Sequence, residues 1–170
     1  MLTKRMELEL NKQINAEYWS AYFYLSMSAY LESIGLAGAA NWMRIQYQEE
    51  ISHALKFFDY IVERGGKVEL MPISEVPKKW NDIINIFEET LKHEQIVTGL
   101  INKLMDIAIE EKDHAAKSFL QWYVDEQVEE ESGVQTILDQ LKMVEGKGNG
   151  LFMIDKDLKQ RVFVDSTIQK

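Results

Sequence analysis

The sequence contains no cysteine and only two prolines among its 170 residues. Without cysteine, the chain can form neither disulfides nor iron–sulfur clusters nor thiolate zinc sites. Proline interrupts helix interiors, so its scarcity leaves room for long helices. No apolar run approaches the roughly 20 residues of a membrane span, and the charged first residues contain no signal-peptide core. We therefore expect a cytoplasmic protein with no membrane partner.

Basic residues are also scarce, because 19 lysines and arginines face 28 acidic residues and the formal charge is −9. Nucleic-acid binding needs basic patches that contact phosphates, so no nucleic-acid partner is expected. The apolar fraction of 46% is that of an ordinary globular protein. A chain of this length fits one domain, which we predict to span residues 1–170.

Helical periodicity dominates the chain and predicts five helices. Glycines and prolines mark the breaks, and the predicted ranges are about residues 3–33, 39–64, 80–111, 114–145 and 151–162. Helices of about 30 residues are about 45 Å long. Two joints are short and force antiparallel neighbours, whereas the link of about 14 residues around the segment 67–79 reaches about 46–50 Å when extended. We therefore predict an all-α four-helix bundle with one long crossover, between the second and third helices, and a short fifth helix.

Each of the four long helices has an inward stripe of mainly apolar residues at steps of three and four. The predicted stripes are Leu10, Ile14, Glu17, Ala21, Tyr24, Ser28 and Leu31 in the first helix; Met43, Gln46, Glu50, His53, Phe57 and Tyr60 in the second; Ile84, Phe87, Leu91, Glu94, Thr98, Ile101, Met105 and Ala108 in the third; and Leu120, Tyr123, Gln127, Glu130, Val134, Ile137, Leu141 and Val144 in the fourth. Every stripe is interrupted by polar residues, which are Glu17, Glu50 with His53, Glu94, and Gln127 with Glu130. Each interruption lies near the midpoint of its helix, so all of them fall at roughly one level of the bundle. Glu50 and His53 share a helix face, because they are three residues apart. Four helices therefore direct acids, an amide and an imidazole at one point in the core.

Burying these acids without cations would be very unfavourable. Removing one ionised carboxylate from water costs several kcal/mol, and a whole protein is stable by only about 5–15 kcal/mol. Oxygen donors with one imidazole and no sulfur suit iron, manganese or zinc. We predict two metal ions with Glu50 as the bridge between them. The first ligand set is Glu17, Glu50 and His53, and the second is Glu50, Glu94 and Glu130. Gln127 would bind weakly or hydrogen-bond a bound water or peroxide.

Several motifs around these residues resemble those of bacterial and archaeal non-haem ferritins. They are Asn15-Ala16-Glu17, Asn41-Trp42, Glu49-Glu50-Ile51-Ser52-His53-Ala54, Glu63-Arg64-Gly65-Gly66, His93-Glu94, Phe119-Leu120-Gln121-Trp122-Tyr123 and Glu126-Gln127-Val128-Glu129-Glu130-Glu131. The resemblance extends from near the first residue to about Val162. Gln127 and Glu130 stand where bacterioferritins carry a second Glu-x-x-His pair, and this replacement resembles ferritins.

The resemblance implies a ferritin-like bundle that assembles into a hollow homo-oligomeric cage of twenty-four subunits. Fe(II) would be oxidised to Fe(III) by O2 or H2O2 at an intrasubunit di-iron ferroxidase centre and deposited in the cage as ferric mineral. The resemblance also implies a third iron site beside the centre, formed by Glu49, Glu126, Glu129 and Glu130. Tyr24 would lie beside the centre and donate a hydrogen bond or an electron. No haem is expected.

Two other functions stay open. A bacterioferritin-like iron store would bind haem through a methionine early in the second helix, but Ile51 and Ser52 precede His53 and neither supplies a thioether. A metal-free interaction bundle or shell subunit would have to tolerate the six polar stripe residues for another reason.

Features outside the polar level also lead to expectations. His93 and His114 are expected to be exposed rather than to bind metal. The fifth helix is too short to be stable alone, so its apolar face is expected to dock on a neighbouring subunit; that face is formed by Leu151, Ile154 and Leu158. The residues after this helix are expected to form a frayed tail.

Overall fold

A computed structural model describes residues 2–168 of the chain. Its helices are α1 (Lys4–Ser33), α2 (Ala37–Glu63), α3 (Ile83–Glu110), α4 (His114–Met143) and α5 (Gly148–Leu158), with a short 3-10 helix at Ser166–Ile168. No strand is present within the described residues, so the predicted all-α class is confirmed. The predicted domain of residues 1–170 includes Met1, Gln169 and Lys170, which lie outside the described residues.

Side chains just before three of the helices cap their first turns. Thr3, Asp82 and Asp113 each accept a hydrogen bond from the backbone N–H three residues further on. The cap at Asp82 explains why α3 begins at Ile83 rather than near residue 80 as predicted. At the other ends, Gly35 and Gly65 adopt positive φ angles of 81° and 72°, which favour glycine and end α1 and α2.

The crossover between α2 and α3 runs along the side of α1. Polar side chains of α1 donate hydrogen bonds to its backbone carbonyls: Asn11 to Lys67, Asn15 to Met71, Trp19 to Glu75, Ser26 to Pro77 and Tyr30 to Trp80. Both series of residue numbers rise together, so the crossover runs parallel to α1. It therefore returns the chain to the end of the bundle where α2 began, and α2 and α3 run in the same direction as predicted.

The polar level divides the apolar core into two clusters. One contains Phe23, Met43 and Phe87, and the other contains Leu10, Phe57 and Leu120. The residues predicted to form the inward stripes of α1 and α2 are all buried. The predicted stripe of α3 was partly wrong, because Ile84, Leu91 and Met105 are half-exposed. The buried apolar residues nearby are Ile86, Val97 and Leu104. This helix is apolar on more than one face, so its pattern alone does not fix the buried one.

Helix α5 docks on α2 of the same chain. Its apolar residues Leu151, Ile154 and Leu158 pack on the core cluster that contains Phe23. Gly38 allows the close approach, since a Cβ atom there would lie 1.6 Å from the carbonyl oxygen of Asp155. The expectation that this face docks on a neighbouring subunit was therefore wrong for these three residues.

The fifth helix was predicted to end at residue 162, but α5 ends at Leu158. The chain turns after Leu158 and continues as a segment that we name the C-terminal strap, residues 159–168. The strap is tied to the bundle, because the side-chain amide of Asn41 donates to the carbonyl of Arg161 at 3.0 Å and Lys56 Nζ donates to that of Thr167 at 3.2 Å. The predicted frayed tail was therefore wrong for residues 163–168, and its last two residues, Gln169 and Lys170, lie outside the described residues.

Across the described part of the chain, none of the helices combines the length and apolarity that a membrane crossing requires.

Candidate metal centre

Glu17, Glu50 and His53 come together at the middle of the bundle. Each offers one donor atom, and the three donor atoms lie within 4.8 Å of one another. The side chains come from α1 and α2, and all three residues are at most 3% exposed. Glu50 Oε2 lies 3.5 Å from Nδ1 of His53, one turn further along α2. Glu50 and His53 were predicted to share a helix face because they are three residues apart, and this spacing brings their donor atoms close together. Glu17 joins them from α1.

Three polar atoms of this trio are buried without a hydrogen-bond partner among the described residues. They are Oε2 of Glu17, Oε2 of Glu50 and Nε2 of His53. Buried polar groups are normally hydrogen-bonded, and leaving one unpaired is unfavourable. Each residue of the trio therefore keeps a polar atom that the protein itself does not satisfy, and two carboxylates with an imidazole are the ligands that a metal ion such as iron, manganese or zinc accepts.

Neighbouring side chains hold the trio in place. Gln13 Nε2 donates to Oε1 of Glu17 at 2.9 Å, so this carboxylate presents its other oxygen to the centre. The Tyr123 hydroxyl donates to the backbone carbonyl of His53 at 2.9 Å. The imidazole of His53 also meets the rings of Trp122 and Tyr123 edge-on. Such supporting contacts fix the orientation of metal ligands.

Glu94 approaches the same level from α3 and is fully buried. Both of its carboxylate oxygens accept hydrogen bonds, one from the Tyr24 hydroxyl and the other from Gln127 Nε2 at 3.2 Å. Gln127 also donates to the backbone carbonyl of Glu94. Tyr24 and Gln127 therefore both contact Glu94, one from each side.

Glu130 is half-buried on α4, and its Oε2 accepts a hydrogen bond from Gln46 Nε2 at 2.9 Å. Among residues 2–168, no second set of three donor atoms reaches the spacing of the trio. The predicted second ligand set is Glu50, Glu94 and Glu130. These residues lie at the same level of the bundle as the trio, but their donor atoms are further apart than those of the trio.

Burial and like charge act together on the acids of the centre. Burial raises the pKa of Glu17 and Glu50 well above the usual range, and nearby carboxylates add to the effect. Burial, with Glu130 next in importance, raises the pKa of Glu94 to about 8. These acids therefore favour protonation in the metal-free protein, and a bound cation would have to displace protons.

The four residues predicted to form a third iron site line one open cleft of about 320 Å³. They are Glu49, Glu126, Glu129 and Glu130. Arg161 of the C-terminal strap also lines this cleft, and its Nη2 lies 2.6 Å from Oε2 of Glu49. Burial raises the pKa of Glu49 to about 7, although Arg161 acts in the opposite direction.

Sequence reasoning missed the roles of several side chains that contact the predicted site residues, among them Gln13, Gln46 and Arg161. Gln13 stands four residues before Glu17, so helical spacing would have found it. Gln46 contacts Glu130 of α4, and spacing within α2 does not reveal that contact. Arg161 carries no comparable signal, because its contact with Glu49 joins residues 112 positions apart.

The two remaining histidines differ in their surroundings. His93 was expected to be exposed but is half-buried, with Nε2 hydrogen-bonded to Ser20 Oγ at 2.8 Å and its ring against Trp19 and Phe23. Burial lowers the pKa of His93 to about 4. His114 is exposed as expected.

The chain was compared with known protein families, sequences and solved structures. The family model described as a ferritin-like domain matches residues 7–144, which is most of the chain. The chain belongs to the ferritin family. This ferritin is 44% identical to the bacterial non-heme ferritin of Bacteroides fragilis over 161 residues, which cover 95% of this chain and 100% of the relative. It is 38% identical to that of Campylobacter jejuni, covering 94% of this chain and 95% of the relative.

Solved structures agree with the sequence relatives. An engineered closed form of the Archaeoglobus fulgidus ferritin superposes with a TM-score of 0.95 at 46% identity, covering 96% of this ferritin and 100% of that chain. The open-pore ferritin of the same archaeon gives a TM-score of 0.94 at 46% identity, covering 95% and 100%. The predicted resemblance and ferritin-like fold are thus confirmed, and family membership makes this ferritin an iron-storage protein.

Proposed function

We propose that this ferritin oxidises Fe(II) to Fe(III) at a di-iron centre within each subunit and stores the product as ferric mineral. Fe(II) is the substrate and O2 or H2O2 is the oxidant. Glu17, Glu50 and His53 bind one Fe(II). Glu50 bridges to a second Fe(II), whose other ligands are Glu94 and Glu130.

One observation carries this proposal: Glu17, Glu50 and His53 are buried and each offers one donor atom, and the three donor atoms lie within 4.8 Å of one another. Each of the three residues also has a buried polar atom without a hydrogen-bond partner. An apolar core gains nothing from keeping such atoms without partners. Two carboxylates and an imidazole supply hard and borderline ligands that suit Fe(II). Water would satisfy the atoms singly, but it would leave the acids protonated, whereas a cation stabilises their ionised forms.

A pair of iron ions matches the electron count of the reaction. Each Fe(II) gives up one electron, so two together reduce O2 to hydrogen peroxide, or H2O2 to water, with two protons taken up. Tyr24 and Gln127 hold Glu94 by hydrogen bonds on its two oxygens, and Gln46 holds Glu130. These contacts orient the ligands of the second ion, while the protons held by the buried acids are released as Fe(II) binds.

The stored product requires a container, and we propose a cytoplasmic homo-oligomeric cage of twenty-four subunits. The names of the solved neighbours support a shell with openings, since one is described as an open-pore ferritin and another as its closed form. Glu49, Glu126, Glu129 and Glu130 form a third iron site on the route from the di-iron centre to the mineral.

The test is the initial rate of aerobic Fe(II) oxidation by stopped-flow absorbance. We expect Glu50→Ala and His53→Ala each to slow this rate at least about tenfold, because each removes a ligand of the first ion. Glu63→Ala removes an exposed glutamate of the same helix and is expected to leave the rate unchanged. Folding and assembly, checked by circular dichroism and gel filtration, should stay intact in all three variants. Undiminished rates in both ligand variants would refute the di-iron proposal.

The haem-containing alternative has a separate test. A bacterioferritin-like store would show a Soret band after purification, or after reconstitution with haem. The relatives above carry the word non-heme in their names, and we expect no such band from this chain. A stoichiometric Soret absorbance would favour the alternative.

A further inference from the structure

Arg161 places a positive charge among the acids of the cleft. Its guanidinium contacts two side chains of α2: Nη2 lies 2.6 Å from Glu49 Oε2, and Nη1 donates to Gln46 Oε1 at 2.5 Å. The guanidinium also lies over the ring of Trp42, with Cζ 4.7 Å from the ring centroid. Three contacts hold this side chain in one position, so it is not a freely moving surface arginine.

The contact with Gln46 reaches the di-iron centre. An amide has an accepting oxygen at one end and a donating nitrogen at the other. Because Arg161 can only donate, it holds the oxygen of Gln46 toward itself and turns the nitrogen toward Glu130. That nitrogen donates to Glu130 Oε2 at 2.9 Å. Arg161 therefore sets the orientation of Gln46, and Gln46 in turn occupies one oxygen of Glu130.

The strap keeps Arg161 over the cleft. On one side, the Asn41 amide donates to the carbonyl of Arg161 itself. On the other, Ser166 Oγ donates to Glu126 Oε1 at 3.3 Å, so a second acid of the cleft is bound by the same segment. Residues 159–168 thus cross the acidic cleft and contact two of its four carboxylates.

We propose that Arg161 is a positioning residue whose guanidinium acts as the resident counter-ion of the third iron site, and that Fe(II) must displace it from Glu49 in order to bind there. This inference rests on the proposed function, because it assumes that the cleft is an iron site. A guanidinium and a divalent cation repel each other, and Glu49 cannot serve both with the same oxygen.

Displacement also connects the two sites. When Arg161 leaves, the oxygen of Gln46 loses its donor and the amide is free to rotate. Glu130 then loses the hydrogen bond from Gln46 Nε2 and gains an oxygen for a metal ion. Because Glu130 belongs to both proposed ligand sets, loading of the third site and rearrangement at the second ion become one event.

Anaerobic Fe(II) titration of the assembled protein by isothermal calorimetry tests this inference. The wild type is expected to bind two ions tightly and a third weakly. In Arg161→Gln the third ion should bind at least about tenfold more tightly, since losing one charge-assisted contact at Glu49 is worth about 1.4 kcal/mol or more. A purely structural role for Arg161 predicts the opposite, because a loosened cleft would bind the third ion more weakly.

Two further variants separate charge from structure. Lys159→Gln removes a positive charge from the exposed part of the strap, outside the cleft, and should leave all three affinities unchanged. Arg161→Lys keeps the competing charge and should hold the third affinity within about threefold of the wild type. An equal gain in Arg161→Lys and Arg161→Gln would overturn the counter-ion role.

The outcomes for the two proposals are distinct. If two ions bind tightly in every variant but the third affinity does not rise in Arg161→Gln, the role of Arg161 is overturned while the di-iron proposal survives. If the wild type fails to bind the first two ions, the proposed function is wrong and the inference fails with it.

Discussion

Glu17 combines full burial with one hydrogen-bonded oxygen and one unpaired oxygen. Its pKa is raised, first by burial and then by Glu50. In the metal-free protein such a carboxyl group favours its neutral form, whereas a metal ligand must be ionised. At the scale of the residue, the neutral form of Glu17 favours the stability of the metal-free protein, whereas the ionised form favours cation binding.

The first prediction at this scale concerns pH. Because the folded-state pKa of Glu17 lies above the usual 4.5, its contribution to stability is present below about pH 4.5 and is lost as pH rises through the folded pKa. We expect Glu17→Gln to stabilise the metal-free protein at pH 8 and to stabilise it less at pH 5. Denaturant unfolding with a chelator present measures both values.

The control for this prediction is Glu32→Gln, an exposed glutamate on the same helix, which should change stability equally little at both pH values. The glutamine at position 17 can still accept from Gln13 through its oxygen. A variant that is less stable than wild type at pH 8 would contradict the raised pKa of Glu17.

At the scale of the element, two adjacent faces of α2 contribute residues to the buried polar level and to the acidic cleft. Glu50 and His53 point into the core, while Gln46 connects Glu130 to Arg161, and Glu49 faces the cleft. The other side of α2, near its start, receives α5. The strap begins where α5 ends, so the packing of α5 on α2 determines that Arg161 is the strap residue that reaches the cleft.

Gly38 is the contact on which this packing depends. We expect Gly38→Ala to separate α5 from α2, because the new Cβ would lie 1.6 Å from a backbone oxygen that cannot move aside alone. Overpacking of this kind costs about 1–3 kcal/mol. Hydrogen exchange by mass spectrometry should then show faster exchange in residues 148–158, with the four long helices still protected.

Gly99→Ala provides the matched control. It is also a glycine within a helix, but no atom outside its local backbone lies within 4 Å of its new Cβ. The change should leave α5 exchange unaltered and stabilise α3 by up to about 1 kcal/mol. Unchanged α5 exchange in Gly38→Ala would show that the two helices do not depend on this close approach.

At the scale of the whole molecule, the isolated subunit leaves large apolar side chains on its crossover. Leu70 is 70% exposed and Ile73 is 49% exposed, and together with Met71 they border a groove against Ile14 and Tyr18 of α1. Contiguous exposed apolar groups mark association surfaces more often than single ones do. This surface fits the proposed homo-oligomer, in which neighbouring subunits would cover it.

We expect Leu70→Glu to shift the assembly toward smaller species, because an acid placed in an apolar interface costs several kcal/mol of desolvation. Mass photometry of wild type and variant measures the distribution, and the wild type should give the mass of twenty-four chains. Lys79→Glu adds an acid at an exposed position of the same segment and should leave the assembly intact. A wild-type protein that stays monomeric would refute the cage.

The sequence predicted the helices and the meeting of Glu17, Glu50 and His53 for a common reason. Periodicity and capping act over three or four residues, so they can be read along the chain. The unfavourable burial of carboxylates then makes Glu17, Glu50 and His53 conspicuous within apolar stripes. No comparable signal fixed the buried face of α3, where several faces are apolar.

The sequence by itself therefore determined the all-α bundle, the direction of its crossover and the level at which the buried polar side chains meet, since each follows from spacing and burial. Only the tertiary structure decided that α5 packs on its own subunit and that Arg161 lies against Glu49 and Gln46. These contacts depend on where the chain turns after Leu158, and they join residues more than 100 positions apart. Local spacing carries no information about such pairs, because their meeting depends on the packing of the whole subunit.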